Sequence, residues 1–518
     1  MLVAIMSRSM KLSLWIAVLL ITSGCAVSVA DKSESRALGR EEAQDTRLGR
    51  AIAHRLEKHP GQSGIYTLAD PQDAFAARAL LARVADRTLD VQYYIWRGDV
   101  TGTLLISELH AAADRGVRVR LLLDDNGTSG LDDELSRLAS HPLIEVRLFN
   151  PFALRSFKSL GYLTDFSRSN RRMHNKSFTA DNQATIVGGR NVGDEYFAAT
   201  EGVLFADLDV LSVGPVVSRV SADFDRYWAS DSAYPVEQVL NSEPPSSSSA
   251  AWQDVTYSGS HEAAARYIEA IEQADFVHEL VGGDLDLEWA CTRMISDDPA
   301  KGLGEIRDDT TLAHQLGEVL GRPERKVALI SPYFVPTAAG VDALAALESR
   351  GVEVTVLTNS LDATDVAAVH AGYAKRRKAL LDAGIQLFEM RRLSSSEPDG
   401  RSAGPFGSSG SSLHAKTFAV DGERLFVGSF NFDPRSMHLN TELGFVIESP
   451  ALSQSIHRAF GDVIPLRSYQ VHLDENDRLY WTEQVDGSEI RHDQEPNTGW
   501  FQRAGIGFLS ILPIEWLL

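Results

Sequence analysis

At 518 residues and 44% apolar composition, the chain is long enough for about two to three separately cored domains. Its 50 Lys and Arg against 71 Asp and Glu give a formal net charge of −21, which argues against an extended nucleic-acid surface, because phosphate backbones attract basic stripes. Cys25 and Cys291 are the only cysteines, so a disulfide framework is excluded; with no C-x-x-C and no clustered His/Cys spacing, neither a structural metal nor a cofactor is expected.

In chain order, Arg8 and Lys11 precede the apolar run 12–21, followed by Thr22-Ser23-Gly24-Cys25. This reads as an export signal, and Thr-Ser-Gly-Cys resembles a bacterial lipobox that would make Cys25 the lipidated first residue; the alternatives are an uncleaved anchor or an ordinary signal peptide. Residues 1–30 are therefore expected to be an anchor region and 31–70 a polar tether. Ala26 resembles the outer-membrane sorting pattern, which places the expected lipoprotein in the cell envelope, facing the periplasm, with the outer membrane favoured over the inner.

Residues 75–86 repeat apolar side chains at helical spacing, and 89–96 (LDVQYYIW) read as a buried strand. Leu104, Leu105, Leu109 and Ala113 fall on one helical face, stopped at Gly116, before a strand over 117–123. Helix alternating with strand predicts an α/β domain. The same order returns with 326–335 (KVALISPYFV), a helical pattern over 341–347 and a strand over 352–357 (VEVTVL), at an offset of 352 − 117 = 235 from VRVRLLLDD. An internal duplication follows. Pro/Ser-rich 241–250 separates the halves, residues 262–275 read as helical, and a Ser/Gly/Pro-rich stretch over 394–412 precedes the second motif described next.

The first motif is His174-Asn175-Lys176 with Asp181; the second is His414-Ala415-Lys416 with Asp421. Both read H-x-K-x-x-x-x-D and are separated by 414 − 174 = 240, as are Gly188-Gly189-Arg190-Asn191 and Gly428-Ser429-Phe430-Asn431. On a strand, alternation sends His and Lys to one face. Two such strands brought together place two imidazoles and two ammonium groups around one small volume. One neutral imidazole can attack phosphorus while the other, protonated, donates to the leaving oxygen. Lys176 and Lys416 can neutralise phosphoryl oxygens, and Asn191 and Asn431 can add hydrogen bonds to the phosphate. Asp207 (DLDVLSVGP) and Glu442 (ELGFVIESP) correspond at 442 − 207 = 235, and each can hold a His by its second nitrogen; Glu195 is a further candidate for that support.

These motifs resemble the phospholipase D superfamily, marked by two H-x-K-x(4)-D motifs each followed by G-[GS]-x-N. The resemblance runs over roughly residues 70 to 460. It implies two α/β/α halves, a phospholipase D-like domain at 71–240 and another at 321–465, with one active site at their interface. Residues 241–320 would be linker and helical connection, and 466–518 a C-terminal extension. In that family the motif aspartates, Asp181 and Asp421, are more structural than chemical. NRRMHNKSF, GGRNVGDEYF, ISPYFVP, TNSLDATDVAAVHAGY, GSFNFDPRS and the tail LPIEWLL resemble bacterial cardiolipin synthases of the C type.

That likeness implies phosphatidyl transfer through a phosphohistidine on His174, with His414 as acid, forming cardiolipin from phosphatidylglycerol with phosphatidylglycerol or phosphatidylethanolamine as co-substrate. The alternative is a phospholipase D-type hydrolase. Phospholipids and a membrane surface are the expected partners, with oligomeric state left open. Phe152 to Phe166 alternates aromatic and aliphatic residues with Arg155 and Lys158, suiting either a lipid interface or packing on the core. The cluster Lys375 to Lys378 reads as a solvated helix face. Residues 506–518 are apolar, but too short and too broken by Pro513 and Glu515 to span a bilayer; they would dock on the domain or on the membrane.

Overall fold

The computed structural model describes residues 34–153, 155, 158, 161–162, 165–199, 205–240, 267–269, 271, 275–392, 412–485 and 487–518. The leader with Cys25, the 241–250 linker, and most of 262–275 and 394–412 lie outside them.

The expected duplication is present, with eight strands of each half in corresponding places. The first half comprises β1 (Ser63–Leu68), β2 (Thr88–Ile95), β3 (Arg118–Gly127), β4 (Ile144–Phe149), β5 (Ser177–Ala180), β6 (Ala184–Gly188), β7 (Phe205–Ala206), β8 (Asp209–Val213) and β9 (Ala233–Pro235). β2, β3 and β4 are parallel, and antiparallel neighbours complete the order β9-β4-β3-β2-β5-β6-β8-β1. The second half comprises β10 (Glu288–Ser296), β11 (Lys326–Ile330), β12 (Glu353–Asn359), β13 (Gln386–Met390), β14 (Ser412–Leu413), β15 (Thr417–Val420), β16 (Arg424–Gly428), β17 (Leu443–Glu448) and β18 (Ser468–Leu473). Its order, β18-β13-β12-β11-β15-β16-β17-β10, repeats the first. The hairpin β19 (Leu479–Val485) and β20 (Ser488–His492) extends it beyond β18, so much of 466–518 adds to this sheet.

Helices cover both faces. Asp70 accepts from the amides of Gln72 and Asp73, and Pro71 takes the first helical position, so the chain enters a helix over Pro71–Val84 where the apolar period begins. Between the halves, Val216, Val217 and Val220 of the helix Pro215–Ala229 and Ile456 and Ala459 of the helix Pro450–Asp462 share one core with Ile65, Val187, Ile330 and Val427.

The tether expectation is corrected. Residues 47–58 form a helix capped by Thr46, with Leu48 and Ile52 buried against the first-half core, and 63–68 form β1. Burying those two side chains is worth roughly 1.5–3 kcal/mol each, which offsets the weak intrinsic helicity of a short polar segment. β1 and β10 pair antiparallel, Gly64 with Trp289 and Ile65 with Glu288, and so join both halves into one 18-stranded sheet. The strands that fuse the halves thus come from segments read as tether and connection. The Lys375–Lys378 expectation is also corrected: Arg377 is 3% exposed and bound to Glu389 and Glu495, while Lys375 and Arg376 pair with Glu515 of the tail.

Candidate active site

The expectation that H-x-K lies on a strand is corrected: His174 to Lys176 and His414 to Lys416 immediately precede their strands, which begin at Ser177 and Thr417. β5 is followed by a hairpin turn at Asp181-Asn182 and β15 by one at Asp421-Gly422, both aspartates having positive φ. The Asp181 carboxylate accepts from the amides of Asp86, Arg87 and Thr88, and that of Asp421 from Glu324, Arg325 and Lys326. These two motif aspartates clamp the starts of β2 and β11 and hold the strands beside the motifs.

His174 and His414 are brought together by contacts that cross between the halves. The His174 amide donates to the carbonyl of Thr441 at 2.8 Å, and the His414 amide to that of Ala206 at 2.7 Å. β7, which contains Ala206, lies parallel to β14 just before His414. The next residue along each partner segment is the acid: His174 Nδ1 meets Glu442 Oε2 at 2.8 Å, and His414 Nδ1 meets Asp207 Oδ2 at 2.6 Å. Each carboxylate therefore orients the imidazole of the opposite half, a crossing that sequence spacing alone does not specify. Since Nδ1 of each ring is engaged, Nε2 is the nitrogen left for chemistry. Lys176 Nζ donates to its own motif's His174 carbonyl at 2.6 Å, and Lys416 Nζ lies 3.2 Å from His414 Nε2.

Aromatic rings wall the pair. Tyr94 stands edge-on to His174 at 5.1 Å, and Tyr196 and Phe205 flank His414 at 5.2 and 5.0 Å. Both imidazoles are nearly closed off, at 6% and 5% exposure. Burial, then the neighbouring lysines and His414, hold His174 well below the ordinary imidazole range. Burial and Lys416 also lower His414, but Asp207 opposes them. Burial pushes Lys176 down to about 7, with Lys416 adding to it, and Lys416 down to about 8.

The two acids are not equivalent. Burial alone would raise Asp207, but His414, Lys416 and Arg190 hold it down at about 2, whereas burial pushes Glu442 up to about 7. Their settings explain why one motif has Gly189 where the other has Ser429. A Cβ at Gly189 would overlap Asp207 Oδ1, while the Ser429 hydroxyl donates to Glu442 Oε2 and that of Ser436 to Oε1 at 2.9 Å.

Of the other expected site residues, Asn191 is largely occupied by the protein: Oδ1 accepts from the Ile95 amide and Nδ2 donates to the Tyr196 hydroxyl at 2.9 Å. Asn431 is 3% exposed, and its Oδ1 has no protein partner. Glu195 is corrected: it pairs with Arg97 at 3.3 Å and holds neither histidine. Phe152 is buried beneath the Arg172 guanidinium, whereas Phe166 is 41% exposed. Sequence reasoning missed the walls Tyr94, Tyr196 and Phe205, and Asp297, which accepts from the Glu442 amide. Tyr196 alone had a signal, standing in GDEYF beside a residue that was singled out.

Two mirrored H-x-K segments meeting at one buried pocket on a duplicated α/β/α scaffold define a phospholipase D-like fold. A family model described as "Cardiolipin synthase, PLD-like domain" matches residues 81–228 and again 316–464, and the chain belongs to that family. It is 51% identical to cardiolipin synthase C of Escherichia coli K12 over 473 residues, covering 91% of this chain and 100% of that protein. An uncharacterised protein of Helicobacter pylori 26695 is 30% identical over 90% of this chain and 92% of its own length. The crystal structure of phosphatidylserine synthase from Haemophilus influenzae Rd KW20 aligns over 91% of this chain and 100% of its own, with a TM-score of 0.57 and 14% identity, and shares the fold. Among the described residues, no cluster of His, Cys, Asp or Glu has metal-binding geometry, and no helix is long and apolar enough to cross a membrane.

Proposed function

We propose that the protein is a phosphatidyltransferase that forms cardiolipin, and that the observation carrying this reading is the crossed pair of imidazole–carboxylate contacts with unequal acids. His174, kept neutral by burial and its cationic neighbours, attacks phosphorus through Nε2. His414, whose protonated form is stabilised by the ionised Asp207, donates its Nε2 proton to the departing headgroup oxygen. The bond from phosphorus to the headgroup oxygen breaks as the P–N bond forms. From phosphatidylglycerol the free product is glycerol; from phosphatidylethanolamine it is ethanolamine. Neutral His414 then takes the proton from the headgroup hydroxyl of a phosphatidylglycerol, whose oxygen displaces His174 and yields cardiolipin. Lys176 and Lys416, with the side-chain amide of Asn431 and the second N–H of the Asn191 amide, whose first is held by Tyr196, supply the donors for the phosphoryl oxygens.

Closure by Tyr94, Tyr196 and Phe205 favours a lipid alcohol over water as acceptor. The 51% identity to a named cardiolipin synthase supports cardiolipin as the product. A phospholipid substrate also implies work at a membrane surface, to which the leader and Cys25 would tether the chain as an envelope lipoprotein facing the periplasm, in the outer membrane before the inner.

Product analysis tests this. Purified protein in mixed micelles of phosphatidylglycerol and phosphatidylethanolamine is expected to release glycerol or ethanolamine in step with cardiolipin. Phosphatidic acid without cardiolipin would make it a hydrolase, and no turnover of either lipid would reject the reading.

A further inference from the structure

Residues 500–516 carry the most exposed apolar surface of the described molecule. Trp500 is 68% exposed, Phe501 85%, Phe508 65%, Ile511 80% and Trp516 59%, and no other large apolar side chain among the described residues exceeds 47%. Four of them lie on the helix Trp500–Ile511, where a period of 3.6 gathers Trp500, Phe501, Ala504, Phe508 and Ile511 on one face. Isolated exposed apolar residues are ordinary; a contiguous set is an interaction surface.

This face is not a frayed end. On the opposite side Ile506 is buried against Leu361 and Ala371, the latter in the helix Ala367–Ala374. Beyond the helix, Glu515 is held by Lys375 and Arg376, and the Leu518 carbonyl accepts from the Arg435 amide at 2.7 Å. Nor is it remote from the chemistry. Arg435 follows Asn431 in GSFNFDPRS, and Asp365, just before the supporting helix, accepts from the Tyr333 hydroxyl at 2.7 Å and acts on the charge of Lys416. Trp516 also meets Phe166 of the first half at 6.4 Å, so the exposed surface reaches both halves.

We propose that this face docks the enzyme on a phospholipid bilayer, with Trp500, Phe501, Phe508, Ile511 and Trp516 entering the boundary between headgroups and acyl chains. The inference rests on the phospholipid reading above and adds the surface that delivers the site to its substrate. Its chemistry is that of an interfacial helix: aromatic rings and an isoleucine, no carboxylate on the exposed face, and a length of about 18 Å, too short to span. Indole rings sit well at that boundary because one edge is polar. The net charge of −21 strengthens the case, since an acidic protein is repelled by anionic lipid and needs an uncharged contact face.

The test places a nitroxide at Phe508→Cys or, as the water-facing control, at Gln502→Cys, in the full chain carrying Cys25→Ser and Cys291→Ser, with and without vesicles of phosphatidylglycerol and phosphatidylethanolamine. On vesicles the label at 508 is expected to become accessible to oxygen and shielded from a water-soluble nickel chelate, while that at 502 stays in water. Unchanged accessibility at 508 overturns the proposal, and a label already shielded before lipid is added assigns the face to a protein contact instead. In parallel, a Phe501→Ser/Phe508→Ser/Ile511→Ser variant should raise the apparent KM for vesicle phosphatidylglycerol by at least ~10-fold and leave turnover of short-chain, monomeric phosphatidylglycerol unchanged. Equal loss on both substrates would make the helix a support of the fold and refute docking. Absence of turnover in the parent protein would reject the functional reading while leaving the label result to judge the surface.

Discussion

Replacing either His174 or His414 by alanine is expected to lower cardiolipin formation by at least ~10³-fold, and replacing both to do little further harm, because a nucleophile and its acid act as one unit. The geometry gives the reason. Both rings occupy one buried pocket, and each has its Nδ1 committed to a carboxylate, so no other described imidazole is placed to take over. Initial rates of product formation measure this, with thermal unfolding as the control for folding. Two independent sites would instead leave about half the activity in each single variant, and that outcome would rule out a shared centre.

Asp207→Asn should cost on the order of 10³-fold in turnover, and Glu442→Gln roughly 10- to 100-fold. The inequality follows from their settings: Asp207 is held ionised by His414, Lys416 and Arg190, so the amide removes a full charge from beside the imidazolium. Glu442, pushed up to about 7, already spends part of its time neutral. Because Asp207 comes from the first half and His414 from the second, loss of Asp207 should also lower the His414 pKa further, which histidine resonances in NMR titrations would report. An unchanged His414 titration in Asp207→Asn would refute the crossed support.

Much of this was legible in the chain. The repeat at an offset of 235 gave the duplication, the motifs 240 apart gave the pairs His174/Lys176 and His414/Lys416, and the phospholipase D resemblance implied their convergence in one site. The helix–strand alternation from 75 to 123 and from 326 to 357 matches the observed elements because buried parallel strands are continuous apolar runs. Three things were not legible, each for a physical reason. β1 has only six residues, and the nine of β10 are mostly half-exposed or exposed with polar side chains among them, so an apolar-run criterion passes over both; Leu48, Ile52 and Leu56 after Thr46 were the available sign that 31–70 is not a tether. Spacing shows that Asp207 and Glu442 correspond, but which ring each holds depends on how two halves meet. Glu195 was an attractive carboxylate in sequence, yet one residue of register sends it to Arg97 while Tyr196 faces His414.

The covalent step is the central claim, and labelling the intermediate tests it most directly. Phosphatidylglycerol carrying ³²P in its phosphate is mixed with the enzyme, and the reaction is denatured at alkaline pH, where a P–N bond survives. Label is expected on the fragment containing His174, stable to alkali and released by acid, and absent from His174→Ala. Label on His414 alone would reverse the two roles, and cardiolipin formed with label on neither histidine would contradict a phosphohistidine route.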